Sequence, residues 1–183
     1  DPNIKHGPIE ALFTIDEETG MTGANELKPG ILKGEILINM DSEDEGELYV
    51  GCAGGIDVSA MRDYKTEKTP DGVTAYNVTI KGLRGGHSGV DINMGRGNAN
   101  KLMFRFLQQA EADFGIQLVS YRGGDLRNAI PREAFATLVV PSIKKDQFEK
   151  FVAGYQAIYR DEFKETDPDI KFFAEKCAAP EKV

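Results

Sequence analysis

The sequence predicts an α+β fold: an antiparallel sheet with helices on one face, preceded by a strip of an α/β domain. Two segments carry apolar residues at helical spacing, and short runs that alternate apolar with polar residues surround them. From Ala75 onward the predicted order of elements is β-α-β-β-α-β. This is the split βαβ, or ferredoxin-like, pattern, which places both helices on the same face of one sheet.

Residues 1–56 form the first predicted part of the chain. Three apolar runs predict strands at Ile9–Ile15, Ile36–Met40 and Glu47–Val50, and acidic residues stand at their ends. This segment is short and poor in helix, so it cannot close a hydrophobic core by itself. We therefore expect a partial α/β domain here and a second domain over residues 57–183.

The second domain begins with a predicted hairpin. Asp57–Thr66 and Ala75–Leu83 both alternate apolar with polar residues, and the Thr-Pro-Asp-Gly sequence at 69–72 between them is a strong turn signal. Asn98 is a good N-cap for a helix that runs to about Asp113. The apolar residues of that helix keep to one face: Leu102, Met103, Phe106, Leu107 and Ala110.

The remaining elements complete the pattern. Ile116–Tyr121 and Ala134–Val140 are predicted as the next two strands, and a second helix follows Pro141 and Ser142. This helix carries an apolar, aromatic-rich stripe: Phe148, Phe151, Val152, Tyr155, Ile158, Tyr159 and Phe163. Asp169–Ala174 is the last predicted strand. We assign the stripes of both helices to the hydrophobic core.

The composition argues against several classes of function. The 183 residues carry a net charge of −8, which disfavours nucleic acid or an anionic membrane surface as the main partner. No apolar run approaches the length of a membrane-spanning helix. The two cysteines, Cys52 and Cys177, lie far apart in sequence and fit buried thiols in a reducing compartment. We therefore expect a cytoplasmic protein that binds neither nucleic acid nor membrane.

Asp16, Glu17 and Glu18 form the most informative cluster of the first part. They follow the apolar run Ile9–Ile15, and a bound cation would relieve their mutual repulsion. Asp41 follows the second apolar run in the same way. Carboxylates at neighbouring strand ends can converge on one metal ion, and one of two adjacent carboxylates can bind the metal while the other acts as general base. The alternative is a solvated acidic loop.

The Gly-Gly-His-Ser-Gly sequence at 85–89 is the second candidate cluster. Its glycines permit a sharply turned loop that presents the imidazole of His87, which could donate to a developing oxyanion or bind a metal. The alternative is a solvent-facing histidine at the exit of a strand. Asn128, in the Arg-Asn-Ala-Ile-Pro sequence at 127–131, offers a donor and an acceptor beside a stiff turn. Taken alone, that segment is a loop between strands.

Other catalytic patterns receive no support. His6 precedes a Gly-Pro turn and a predicted strand, and we assign it a structural role. The sequence contains no nucleophile elbow, no phosphate-binding loop and no Cys-x-x-Cys pair. Nucleophilic catalysis by serine or cysteine is therefore not indicated.

Three segments, taken in order, carry a resemblance to a known family. They are HGPIEALFTIDEETGMTGA, ILINMDSEDEGELYVGCAGGID and GLRGGHSGVDINMGRGNAN. Together they resemble the aminoacyl-histidine dipeptidases, also called Xaa-His dipeptidases or peptidase D. These enzymes belong to the zinc-dependent exopeptidases, which include carboxypeptidase G-like enzymes, aminoacylases and carnosinases. The resemblance extends over nearly the whole chain.

The resemblance implies a role for five residues. Glu17 would be the general base that activates water, and Glu18 would ligate one of two zinc ions. Asp41 would ligate the other zinc ion. His87 would hold the substrate carbonyl oxygen as it becomes an oxyanion, and Asn128 would also bind the substrate.

The family's two-domain plan implies the place of each part of the chain. Residues 57–183 would be the lid domain, of a kind that often supports homodimers, truncated at its C-terminal end. Residues 1–56 would be the part of the catalytic domain that carries the metal-site carboxylates. The parent enzyme would use two zinc ions and a dipeptide substrate with C-terminal histidine.

Several family elements have no counterpart in the sequence. A histidine in an H-x-D motif, a bridging aspartate, a later histidine ligand and a lid arginine are all missing. Glu18 and Asp41 give each zinc at most one ligand, whereas a closed site needs about three or four. We therefore expect a middle segment that folds but does not hydrolyse peptides alone.

Two other functions stay open. One is a related metal-dependent amidohydrolase, such as an acyl-amino-acid deacylase or a carboxypeptidase. The other is a non-catalytic dimerisation module with Ala75–Leu83 or the first long helix at its interface.

Overall fold

The chain folds as two units, Asp1–Ala60 and Met61–Val183. The computed structural model describes residues 3–41, 45–51 and 54–183. The expected domain boundary between residues 56 and 57 lies slightly before the division between the units and stays a proposal. Cys52, with its expected packing role, lies outside the described residues.

The first unit contains one short helix, α1 (Thr22–Asn25), and no strand among its described residues. The strands predicted at Ile9–Ile15, Ile36–Met40 and Glu47–Val50 are therefore wrong. A strand needs a hydrogen-bonded neighbour for its backbone groups, and the described part of this unit provides no such ladder. Apolar side chains of these runs face solvent, as Phe13 does with 91% of its surface exposed.

The second unit contains a four-stranded antiparallel sheet. Its strands are β1 (Val73–Lys81), β3 (Gln117–Gly123), β5 (Ala134–Pro141) and β6 (Lys171–Cys177), which lie side by side in the order β3-β5-β1-β6. Two short strands, β2 (Gly86–His87) and β4 (Ala129–Ile130), pair with each other as a separate antiparallel ribbon. We call this pair the β2–β4 ribbon.

Two long helices cover one face of the sheet. They are α2 (Ala99–Phe114) and α3 (Lys145–Glu162), and a 3₁₀ turn precedes each of them at Ile92–Met94 and Ser142–Lys144. The chain order β1-α2-β3-β5-α3-β6 confirms the predicted ferredoxin-like arrangement. Within the described part of the chain, none of the helices is long and apolar enough to cross a membrane.

The hydrophobic core lies between the sheet and the helices. Alternate residues of β1, among them Tyr76 and Val78, are buried there with Phe106 of α2 and Phe148 of α3. The rings of Phe106 and Phe148 meet with centroids 6.0 Å apart. The core assignment of both stripes is confirmed except at Ile158, which is 52% exposed because it lies beside, and not on, the buried face of α3.

The hairpin predicted for Asp57–Thr66 with Ala75–Leu83 does not form. The strand β1 pairs with β5 on one side and β6 on the other, so neither of its edges is free for the preceding segment. The residues just before β1 instead meet the end of the chain, where Glu67 and Val183 exchange two backbone hydrogen bonds of 2.9 Å. Asp57–Thr66 is not a strand, and the only pairing just before β1 among the described residues is a single β-bridge between Lys68 and Lys182.

Candidate functional site

The acidic cluster Asp16–Glu18 lies in a hydrogen-bonded turn before α1. The carbonyl of Asp16 accepts the N–H groups of Gly20 at 3.1 Å and Met21 at 2.6 Å. Asp16 has a φ of 58°, a left-handed conformation that is uncommon outside glycine. Because the backbone turns here, Glu17 and Glu18 are not forced to opposite sides as they would be on a strand.

Asp41 is exposed, and its N–H donates to Asn39 Oδ1 at 3.0 Å. Carboxylates such as Glu18 and Asp41 are suitable ligands for zinc. Among the residues that the structure describes, however, no group of three or more His, Cys, Asp or Glu side chains is placed to hold a metal ion. These residues therefore do not form a complete metal site, and the metal roles of Glu18 and Asp41 stay predictions.

The β2–β4 ribbon brings His87 and Asn128 together from separate loops. His87 pairs with Ala129 in the ribbon, and the N–H of Ser88 donates to the carbonyl of Asn128 at 2.8 Å. The imidazole of His87 is exposed, whereas Asn128 is half-buried. Two of the five predicted site residues thus share one loop cluster, although the sequence offers no signal that they meet.

The glycines around His87 are required by close packing. Gly86 has a φ of 144°, and a Cβ atom there would lie 2.5 Å from both Asp91 Oδ2 and Arg96 Nη1. A Cβ atom on Gly89 would lie 3.2 Å from His87 Nδ1. Larger residues would therefore displace the groups that surround the histidine.

A cavity of about 570 Å³ lies beside the ribbon, against Gly86 and Ala129. The guanidinium of Arg122 stacks over the ring of Phe135 at 5.0 Å in its wall. The charged residues of the cavity are three arginines and two carboxylates: Arg84, Arg122, Arg132, Asp125 and Glu133. This excess of positive charge, in an acidic protein, favours a ligand that carries a carboxylate.

Three residues that hold the His87 loop or its flanking segments were missed by the sequence reasoning. Asp91 accepts the N–H of His87 at 2.8 Å and lies 3.4 Å from Arg96. Asp167 is completely buried and accepts the N–H groups of Arg84 at 2.7 Å and Gly97 at 2.8 Å. The spacing of His87 and Asp91, four residues apart in one turn, was an available signal. Asp167 had none, because its partners are 83 and 70 residues away in the chain.

The resolved pKa shifts belong to the packed body of the second unit. Hydrogen bonds from Lys176 and Tyr76 hold the pKa of Glu149 below its usual range. Burial, reinforced by Glu149, raises the pKa of Tyr76. Burial also raises the pKa of the Cys177 thiol, which makes it less reactive, although Cys177 is half-buried and not, as expected, part of the core.

Residues 78–167 match the family described as the peptidase dimerisation domain. This segment, a little under half of the chain, is similar to peptidase dimerisation domains. It contains His87 and Asn128, whereas Glu17, Glu18 and Asp41 precede it. Two of the five predicted site residues therefore lie in this segment, and the other three lie in the first unit.

The similarity to known proteins extends beyond the dimerisation domain. The chain is 46% identical to the cytosol non-specific dipeptidase of Escherichia coli (strain K12) over 178 residues, which is 97% of this chain and 37% of that protein. Its structure is similar to the crystal structure of aminoacylhistidine dipeptidase from Vibrio alginolyticus, with a TM-score of 0.75. The two sequences are 47% identical, and the match covers 100% of this chain and 37% of that one. The chain thus spans little more than a third of either relative, and its resemblance to the aminoacyl-histidine dipeptidases is confirmed.

Proposed function

We propose that this chain supplies the lid and part of the active site of a cytoplasmic, zinc-dependent dipeptidase that cleaves Xaa-His dipeptides. The observation that carries the proposal is its identity of 46% and 47% with two dipeptidases over 97% and 100% of its length. All five predicted site residues lie inside the region that matches the V. alginolyticus enzyme. The proposed reaction is hydrolysis of the single peptide bond of the substrate.

The first unit would supply the base and two of the metal ligands. Glu17 would take a proton from the attacking water and pass it to the leaving amine. Glu18 and Asp41 would each ligate one zinc ion, and their further ligands would have to come from outside the described residues. Zinc, when bound, would supply an acidified water and a Lewis acid for the carbonyl.

The lid would position the substrate. His87 would donate a hydrogen bond to the carbonyl oxygen as negative charge develops there. Asn128, held beside His87 by the β2–β4 ribbon, would bind the substrate with its amide. The arginine-lined cavity next to the ribbon supports a substrate that carries a free carboxylate, as a dipeptide does.

Substrate choice separates this proposal from the related amidohydrolases. The E. coli relative is named a non-specific dipeptidase and the V. alginolyticus relative an aminoacylhistidine dipeptidase. A carboxypeptidase or an acyl-amino-acid deacylase could use the same residues on another amide. The difference is measurable because the leaving group is histidine in one case and another amino acid in the others.

The test compares the 183-residue chain with a version extended to the length of the relatives, both supplied with Zn²⁺. We expect the extended protein to hydrolyse β-alanyl-histidine and other Xaa-His dipeptides, and the shorter chain to be inactive.

Glu17→Gln in the extended protein should lower kcat by about 10²-fold to 10⁴-fold without changing the zinc content, because it removes the base and no ligand. Glu26→Gln, which removes an exposed carboxylate after α1, is the matched control. Cleavage of N-acyl amino acids without dipeptide cleavage would refute the proposal in favour of the deacylase.

We also propose that the second unit forms a homodimer through the free edge of β3. The match to a dimerisation domain favours this role, and β3 is one of the two edge strands. Leu118 of β3 and Phe104 of α2 are 42% and 51% exposed and line an apolar depression. Because β1 is a central strand with both edges paired, Ala75–Leu83 cannot add a strand from another copy at its edges, and its role at an interface stays a prediction.

A further inference from the structure

We infer that Asp91, supported by Arg96, is a positioning residue that holds the imidazole of His87 in the tautomer with its proton on Nε2. The catalytic consequence rests on the proposed role of His87 as a donor to the substrate carbonyl. The structural part stands on the contacts of residues 85–96 alone.

The tautomer of His87 follows from its Nδ1 atom. Nδ1 accepts the backbone N–H of Gly89 at 3.0 Å and that of Val90 at 3.2 Å. A backbone N–H can only donate, so Nδ1 must carry its lone pair and the ring proton must be on Nε2. The Nε2–H group is then available to an acceptor outside the loop, such as a carbonyl oxygen.

Asp91 holds the turn that brings these two N–H groups to the ring. Its Oδ2 atom accepts the backbone N–H of His87 at 2.8 Å, and its own N–H donates to the carbonyl of His87 at 3.1 Å. Both backbone groups of His87 are therefore bound by one residue. The turn between them contains Gly89 and Val90, so opening it would move their N–H groups away from Nδ1.

Arg96 completes the arrangement. Its Nη1 atom lies 3.4 Å from Asp91 Oδ2 and donates to the carbonyl of Gly85 at 2.7 Å. The guanidinium thus joins the carboxylate of Asp91 to the backbone just before His87. The side chains of Arg96 and Asp91 are only 22% and 30% exposed, so solvent weakens their attraction less than it would on an open surface. Asp91 Oδ2 and Arg96 Nη1 can lie this close to the backbone of residue 86 because glycine has no Cβ atom.

His6, the second histidine of the chain, provides an internal reference. Its Nδ1 atom lies 2.8 Å from the carbonyl oxygen of Gly7. A carbonyl oxygen can only accept, so Nδ1 of His6 donates and carries the ring proton. The two histidines are therefore expected to be opposite tautomers when both are neutral.

The test is ¹⁵N NMR of the 183-residue chain labelled at histidine, at a pH where both rings are neutral, with His6→Gln to assign the signals. We expect His87 to show an unprotonated Nδ1 and a protonated Nε2, and His6 to show the opposite pattern. Asp91→Ala should move the His87 signals towards a mixture of the two tautomers. Asp91→Asn keeps an acceptor oxygen but loses the ion pair with Arg96, and it should give an intermediate spectrum. Glu165→Ala, which removes an exposed carboxylate elsewhere, should change neither histidine.

The same variants in the extended protein test the catalytic consequence. Asp91→Ala should lower kcat for an Xaa-His dipeptide by about 10-fold to 100-fold and leave KM nearly unchanged, because the donor is misplaced while the rest of the site persists. Asp91→Asn should recover part of the loss.

The outcomes separate this inference from the proposed function. A protonated Nδ1 on His87, or a His87 spectrum unchanged in Asp91→Ala, would overturn the positioning role. If Asp91→Ala does not fold, the wild-type tautomer and the intermediate spectrum of Asp91→Asn decide the same question. The expected spectra in the 183-residue chain, together with an extended protein that has no dipeptidase activity, would support the positioning role and refute the proposed function.

Discussion

At the scale of single residues, Asp167 joins three separate segments of the second unit. Its carboxylate accepts N–H groups from Arg84, just before the β2–β4 ribbon, and from Gly97, just before α2. Its own N–H donates to the carbonyl of Phe163 at 2.7 Å after α3. The side chain is completely buried, and its two oxygens serve as the acceptors for the N–H groups of Arg84 and Gly97. Asp167 therefore holds the start of the His87 loop in place.

Replacing Asp167 should destabilise the fold according to the number of acceptors that are lost. Asp167→Ala removes the acceptors of the buried N–H of Gly97 and the part-buried N–H of Arg84, and it should lower the free energy of unfolding by about 2–4 kcal/mol. Asp167→Asn retains one acceptor oxygen and should cost less. Urea unfolding measures both, with the exposed Asp169→Ala as the control. Equal stabilities for Asp167→Ala and Asp169→Ala would show that the two hydrogen bonds contribute nothing.

At the scale of elements, Tyr159 joins the two helices. Its hydroxyl on α3 donates to the carbonyl of Leu102 on α2 at 2.7 Å. Its ring lies 4.7 Å below the guanidinium of Arg105, which forms an ion pair of 2.7 Å with Glu162. A single aromatic side chain thus contributes apolar burial, a hydrogen bond and a cation–π contact where α2 and α3 meet.

The titration of Tyr159 gives a pH-dependent prediction. Burial raises the pKa of Tyr159 from its ordinary value of 10.0 to about 12. Because the folded-state pKa is above that of the unfolded chain, stability from this residue is complete below pH 10 and is lost as the pH rises towards 12. Tyr159→Phe should be less stable by about 1 kcal/mol at pH 8 and should lose less stability above pH 10.

Urea unfolding at several pH values between 8 and 11.5 measures this difference, with Tyr64→Phe, an exposed tyrosine, as the control. The stability gap between the wild type and Tyr159→Phe should narrow at the highest pH values. A constant gap across the whole range would contradict a raised pKa for Tyr159.

At the scale of the whole molecule, the two edges of the sheet differ in chemistry. The β3 edge presents Leu118 beside Phe104, whereas β6 exposes Lys171, Glu175 and Lys176. Charged residues discourage an edge strand from pairing with another chain, and exposed apolar residues favour it. The asymmetry predicts that copies of the chain associate through β3 and not through β6.

Leu118→Lys tests the choice of edge. It places a charge on the β3 edge and should raise the dissociation constant of the homodimer by at least about 10-fold, because the lysine would be buried in the interface. Glu175→Lys, on the β6 edge, should have no such effect. Sedimentation over a concentration series measures both variants. A wild-type chain that is monomeric at every concentration would refute the dimer, and a dimer weakened only by Glu175→Lys would refute the β3 edge.

The sequence alone determined the elements of the second unit that depend on local periodicity. The helix from Asn98 is an example: its apolar spacing predicted the buried face, and Asn98 Oδ1 accepts the N–H of Lys101 at 3.2 Å as an N-cap should. The motifs also indicated the family, because short sequences such as Asp-Glu-Glu and Gly-Gly-His-Ser-Gly can be recognised without a structure. These features involve residues that are near one another in the chain.

Only the tertiary structure decided the features that depend on distant partners. The strands predicted in the first unit fail because a strand exists through its neighbours, and periodicity does not reveal whether a neighbour is present. The meeting of His87 with Asn128 and the burial of Asp167 likewise join segments far apart in the chain. The physical reason is the same in each case: local sequence determines which face of an element is apolar, whereas hydrogen-bond partners across the fold depend on how the whole chain packs.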